Sequence, residues 1–165
     1  MSKKTDILQG AWDAAGLTIG VVTARFNSEV TEKLEMGAIN ELTEMGCKQI
    51  RAVRVAGAVE VPLAAKWLLE DGCDAVVALG AVIRGETSHY DYVCSSVERG
   101  VTELQLQTGK PVAFGILTTD NDEQALARAG GKHGNKGAEC AQVAVEMVRL
   151  NQMIKSAKPG QIGAR

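Results

Sequence analysis

Short apolar runs alternate with longer stretches of helical periodicity along the whole chain. Leu17 to Thr23 is apolar enough for a strand and stops near Arg25-Phe26-Asn27. Val30, Leu34, Ala38, Leu42 and Met45 then recur at helical spacing, which predicts a helix capped by Asn27 or Ser28 and stopped by Gly46. Ile50 to Val55 reads as a second strand with weaker alternation. Pro62 suits the first turn of a helix that runs to Glu70 and closes at Gly72. Ala75 to Ile83 is almost wholly apolar, as a strand covered on both faces should be.

Ser88-x-x-Asp91 has the form of a capping pattern for a third helix, with the stripe Val93, Val97, Val101 and Leu104 and a stop at Gly109. Val112 to Leu117 is the next strand. Asp120-x-x-Glu123 predicts a short helix ending at Gly130-Gly131, and the polar loop Lys132 to Gly137 leads into a last helix with Val143, Met147, Leu150 and Ile154 on one side. Four strand–helix repeats imply a parallel sheet sandwiched between helices. Ile7 to Trp12 stands outside this pattern, as an edge strand on its own sheet or on a neighbour's.

With 165 residues the natural expectation is a single domain over 1–165. Such a chain buries a core without needing disulfides or a metal. A hydrophobic share of 45% excludes disorder, and no apolar stretch is long enough to cross a bilayer. The net charge of -2 argues against nucleic acid or an anionic membrane as partner, since both demand a basic face. Met1 to Asp6 is not followed by an apolar core and cleavage site, so a cytoplasmic location is expected. Cys47, Cys73, Cys94 and Cys140 form no Cys-x-x-Cys pair, which leaves no metal site to expect.

Open parallel sheets bind ligands at the carboxyl ends of their strands. Here those ends are Arg25-Phe26-Asn27, Gly57 to Glu60, Arg84 to His89 and Thr118 to Asp122. Gly80-x-x-x-x-Gly85-Glu86-Thr87 has the outline of a nucleotide loop, but Glu86 fills the lysine position and would repel phosphates. The amides of Gly85 to Ser88 still stand at a helix start, which suits a single phosphate or an ordinary capped turn. His89 follows directly, where a neutral imidazole could take and give protons, or simply sit on the surface. Phe26 is placed to cover something flat or to pack on a helix. Glu60 reads as a helix-start acid or a ligand acceptor. Arg128 reads as a phosphate clamp or a partner of a helix end.

Together, these motifs resemble the 6,7-dimethyl-8-ribityllumazine synthase family. The resemblance runs from about Ile7 to the last helix. Its carriers are Ala24 to Asn27, Gly57 to Pro62, Gly80 to Tyr92, Phe114 to Thr119, Glu123 to Ala125, Arg128 to Gly130, and Lys132 to Gly137. It implies a flavodoxin-like three-layer α/β/α sandwich with a four-stranded parallel sheet, plus an N-terminal strand, within residues 1–12, that pairs with a neighbouring subunit. The implied reaction condenses 5-amino-6-(D-ribitylamino)uracil with 3,4-dihydroxy-2-butanone 4-phosphate, the penultimate step of riboflavin biosynthesis, without a cofactor. The implied assembly is a pentamer, and the short 130–137 loop resembles that of members that build 60-subunit icosahedral shells. Riboflavin synthase is the implied further partner.

Carried over position by position, Phe26 would stack on the pyrimidine. Ala58, Val59 and Glu60 would hold the ribityl chain, and Ala81, Val82 and Ile83 would meet the ring's polar edge. Glu86 and Thr87 would present phosphate-binding amides, and His89 would transfer protons. Phe114 and Arg128 would come from the adjacent subunit, with Lys136 as a second basic group by the phosphate. Val59 replaces a bulkier residue, Glu86 a small or neutral one and Ser88 a frequent proline. Two rival readings are a self-assembling cage with a decayed site and a flavin- or lumazine-binding module with little turnover.

Overall fold

A computed structural model describes residues 5–157. Its strands form where the apolar runs are. β1 (Thr18–Ala24), β2 (Gln49–Val55), β3 (Ala75–Ile83) and β4 (Val112–Thr119) make one all-parallel sheet in the order β2-β1-β3-β4. β1 and β3 are central and buried over nearly their whole length, which is why their sequences carry no polar alternation. β2 is an edge strand and mostly exposed. Its outward arginines are tied down: Arg51 pairs with Asp71 at 2.6 Å and Arg54 with Glu35 at 2.6 Å. The Arg54 guanidinium holds the Glu35 carboxyl below the usual carboxylate range.

Two helices cover each face of the sheet. α1 (Ser28–Glu44) and α5 (Lys136–Ser156) share one apolar cluster with the sheet's first face. α2 (Val61–Glu70) and α3 (His89–Thr108) share the second cluster on the other face. The three-layer sandwich expected from the repeat is therefore present. The expected stripes of α1 (Val30, Leu34, Ala38, Leu42) and α3 (Val97, Val101, Leu104) are buried.

The last helix is a correction. Val143, Met147 and Ile154 are exposed, and the buried face of α5 is instead Gly137, Cys140, Ala141, Ala144, Val145 and Val148. Small residues win that face because α5 lies close to α1. A Cβ at Gly137 would collide with the Leu34 carbonyl, and one at Gly37 with the Asn135 side chain.

Three local expectations also change. The short helix α4 spans Asp122–Ala127, and Asn121, not Asp120, accepts from its Gln124 N–H at 2.9 Å. The 129–135 stretch is a small antiparallel hairpin, β5 (Ala129–Gly131) with β6 (Gly134–Asn135), not a helix end and loop. Gly130 at φ 100° supplies the backbone conformation that hairpin needs. The Ser88 side chain makes no capping bond: the Asp91 N–H donates instead to the Ser88 carbonyl at 3.0 Å, and the Asp91 side chain lies 3.7 Å from Arg84.

Residues 5–12 form no strand on the chain's own sheet. Gly10 packs against the Glu146 carbonyl of α5, and Trp12 Nε1 donates to Glu146 Oε1 at 3.3 Å. Ile7 is left 90% exposed. Residues 1–4 of the expected N-terminal arm lie outside the described residues.

Candidate active site

The carboxyl ends of β1 and β3 open into a cavity of about 290 Å³. The β1–β2 ladder continues past the strands: Arg25 N–H donates to Val55 O at 2.8 Å and Phe26 N–H to Ala56 O at 3.1 Å. Asn27 then turns the chain in the left-handed region at φ 64°, and its Nδ2 donates to Ala81 O at 2.8 Å. This lock consumes the side chain expected to cap α1. It also leaves Phe26 on the cavity lip, 71% exposed. A phenyl held there by its backbone presents an apolar face for a flat ring.

The opposite wall is backbone. The β1–β3 ladder stops at Leu79, whereas β3 pairs with β4 through Ile83. Past Leu79, the groups of Ala81 to Ile83 that face the cavity have no strand partner, apart from the Ala81 carbonyl held by Asn27. A 3₁₀ turn, Ala58–Glu60, closes the third side. Its shape is set by Glu60, whose Oε2 accepts from Gly57 N–H at 3.0 Å. Val59 stands exposed beside it.

At the far end the chain passes from β3 into α3. None of the amides of Gly85 to Ser88 has an acceptor among the described residues. His89 opens α3, with its N–H to Thr87 Oγ1 at 3.3 Å, and its ring makes no hydrogen bond among the described residues. Free amides at the start of a 20-residue helix suit an anion. Thr87 and His89 line the cavity, while Glu86 is exposed and does not. Its carboxylate therefore does not occupy the space the amides face. Tyr90, also in the lining, lies under the Arg84 guanidinium at 4.2 Å. Burial, then Cys94, pushes the Tyr90 hydroxyl pKa up, so it stays neutral.

Phe114, Arg128 and Lys136 are elsewhere. They line a second cavity of about 610 Å³ between β4, α4 and the start of α5, and no residue lines both cavities. Here the hairpin does the positioning. Arg128 O accepts from Lys136 N–H at 2.8 Å, which sets the two basic residues side by side. Arg128 Nη1 donates to Gln124 O at 2.9 Å, and Lys136 Nζ is 3.9 Å from Glu139. Asn135 caps α5 by accepting from Ala138 N–H at 3.1 Å and anchors it to α1 by donating to Lys33 O at 3.0 Å. Two neighbouring cations, one of them at the start of α5, again favour an anion.

Of the residues expected at the pyrimidine, Phe26, Ala58, Val59, Glu60, Ala81, Val82 and Ile83 line the first cavity together with Thr87 and His89, whereas Phe114 lines the second with Arg128 and Lys136, and Glu86 lines neither. Sequence reasoning passes over Tyr90, Gln124 and His133, which also line the cavities. Their only signal was membership of the quoted motifs. No group of three or more His, Cys, Asp or Glu side chains that could hold a metal stands among the described residues. No helix among them is long and apolar enough to cross a membrane.

A protein of Bdellovibrio bacteriovorus called 6,7-dimethyl-8-ribityllumazine synthase is 62% identical over 141 residues, which cover 86% of this chain and 79% of that protein. The family described as 6,7-dimethyl-8-ribityllumazine synthase matches residues 16–152, a span that holds both cavities and all four sheet strands. The chain belongs to the 6,7-dimethyl-8-ribityllumazine synthase family.

Proposed function

We propose that each active site is completed between two copies of this chain, one supplying the cavity at the strand ends and its neighbour the cavity around Arg128. The reaction is the family's. 5-Amino-6-(D-ribitylamino)uracil and 3,4-dihydroxy-2-butanone 4-phosphate condense to 6,7-dimethyl-8-ribityllumazine, with loss of phosphate and water. The observation that carries the shared site is the division of labour within one chain. The aromatic lip, the free backbone edge and His89 share one cavity, whereas Arg128 and Lys136 stand in another. A condensation needs its proton carrier and its anion clamp around the same reactant pair.

In this reading Phe26 stacks on the pyrimidine, and the backbone of Ala81, Val82 and Ile83 reads the ring's polar edge. Ala58, Val59 and the free oxygen of Glu60 hold the ribityl chain. The amides of Glu86 and Thr87 receive the phosphate from one side, and Arg128 and Lys136 of the adjacent copy grip it from the other. Phe114 of that copy closes the ring pocket. His89 moves protons as the 5-amino nitrogen adds to the ketone, water departs and phosphate leaves. The whole chain acts as one domain in the cytoplasm, and riboflavin synthase takes up the product. The assembly is a pentamer, built further into a 60-subunit icosahedral shell. Apolar Ile7 and Leu8 of the arm find cover on a neighbour's sheet edge.

The test is complementation. His89→Ala and Arg128→Ala chains, each impaired alone, are unfolded, mixed and refolded together, and lumazine absorbance is followed with both substrates. Recovery above the sum of the separate proteins is expected, because some interfaces then pair an intact His89 with an intact Arg128. No recovery in correctly assembled mixtures would sink the shared site. Light scattering on the native protein tests the shell, which a free pentamer would overturn.

A further inference from the structure

Arg84 lines neither cavity, yet its side chain touches the supports of both. Its Nε donates to Asp120 Oδ1 at 3.0 Å, and its Nη1 lies 3.7 Å from Asp91 Oδ1. The guanidinium covers the Tyr90 ring at 4.2 Å, and Arg84 N–H donates to Thr119 O at 2.8 Å. Tyr90 and Asp91 belong to the first turn of α3, directly after His89 and the free amides of Gly85 to Ser88. Arg84 itself directly precedes those amides.

On its other side, the network continues. Asp120 N–H donates to Gln124 Oε1 at 2.8 Å, and Gln124 O accepts from Arg128 Nη1 at 2.9 Å. Four residues, Arg84, Asp120, Gln124 and Arg128, therefore form one unbroken hydrogen-bonded chain from the anion turn of the first cavity to the cation of the second. A planar guanidinium that hydrogen-bonds one carboxylate, lies beside a second and stacks on a ring is held in a geometry that lysine cannot reproduce.

We propose that Arg84 is a positioning residue of the reaction: it holds the Gly85–His89 turn and the Gln124–Arg128 segment in one fixed relation, so that both phosphate-facing groups of a chain are aimed by a single side chain. This rests on the reading above, in which those two groups bind the phosphate of the butanone. In a shared-site assembly they serve two different active sites. Arg84 would then carry mechanical coupling from one site to the next. On the pyrimidine side, Phe26 and the Ala58–Glu60 turn are held separately, by Asn27 and by the Glu60–Gly57 bond, and that cavity meets Arg84 at the Tyr90 ring.

The experiment compares full-length Arg84→Gln, Arg84→Lys, Asp120→Asn and Arg128→Ala proteins by steady-state kinetics and thermal unfolding. Exposed ion pairs add little to stability, so Arg84→Gln should melt close to the native protein. Its KM for the butanone phosphate should rise about tenfold and its kcat fall about tenfold, with KM for the pyrimidine within twofold. Inorganic phosphate, used as a competitive probe, should weaken in parallel. Arg84→Lys should restore only part of this. Asp120→Asn should repeat the phosphate defect more mildly, and combining it with Arg84→Gln should add nothing further. Native KM for the butanone phosphate in both Arg84→Gln and Asp120→Asn would overturn the proposal, as would strictly additive losses. If Arg128→Ala itself leaves that KM unchanged, the phosphate reading has failed. If Arg128→Ala is impaired while Arg84→Gln is native, only the positioning role has failed. Should Arg84→Gln not fold, Asp120→Asn carries the decision alone.

Discussion

At the strand ends, the groups that frame the cavity are mostly backbone: the free edge of Ala81 to Ile83 and the amides of Gly85 to Ser88, with Phe26 and His89 added. Around Arg128 they are side-chain tips carried on a six-residue helix, a small hairpin and the first turn of α5. The first cavity is thus preorganised by the sheet itself. The second depends on how closely α5 sits on α1. A change at the first should therefore disturb chemistry and leave the fold alone, whereas a change at the second should disturb binding or stability.

The largest expected break in that contrast is at His89. His89→Ala should lower kcat by roughly 10²–10⁴-fold with little change in either KM, since it removes a proton carrier from an intact scaffold. The check is steady-state turnover beside a thermal melt, and native turnover would refute the role. Next comes Gly137, beneath the second cavity. Gly137→Ala forces a methyl group against the Leu34 carbonyl, and backbone cannot yield as a flexible side chain can. A loss of about 3 kcal/mol is expected, which lowers Tm by roughly 6–12 °C in a chain of this size. Calorimetry measures it directly.

Arg128→Ala should act on binding alone. A charge-assisted contact contributes about 1.5–3 kcal/mol, so KM for the butanone phosphate should rise roughly 10–100-fold with KM for the pyrimidine little changed. Equal effects on both would remove the distinction between the cavities. The smallest effect is a pH dependence beside the second cavity. Burial pushes the Cys140 thiol up to about 11, from an ordinary value of 9.0. The folded chain holds that proton more tightly than the unfolded one. Its contribution is complete below pH 9 and is lost as pH rises from 9 to about 11, by roughly 1–2 kcal/mol. Denaturant unfolding at pH 8 and pH 10.5 reads this slope; burial also pushes up the thiols of Cys47, Cys73 and Cys94, so Cys140→Ala should reduce it without abolishing it.

β1, β3 and β4 were legible because a strand buried on both faces has no choice but to be apolar, as Ala75 to Ile83 is, whereas the exposed edge strand β2 showed only weak alternation. The buried stripes of α1 and α3 were legible for the same reason: large side chains at helical spacing face the sheet. Of the nine residues gathered at the first cavity, Phe26, Ala58, Val59, Glu60, Thr87 and His89 were legible at strand ends, whereas Ala81, Val82 and Ile83, inside β3, came only through the family resemblance. In α5 the rule inverted. The largest apolar side chains point outward, and Ala141, Ala144 and Gly137 face inward. Periodicity detects a stripe but not which of two stripes packs, and close helix approach favours the smaller one.

By itself the sequence determined the family, the repeat of strand and helix, and the residue types the chemistry requires. Only the tertiary structure decided the order β2-β1-β3-β4, the use of Asn27 as a clamp on Ala81 and not as a cap, and the Arg84 chain across to Arg128. It also decided that Phe26 and His89 share a cavity from which Arg128 is excluded. Local pattern is set by which face of an element must leave water, a property each segment carries alone. Partnership between distant residues is set by how whole elements stack, and no single segment contains that information.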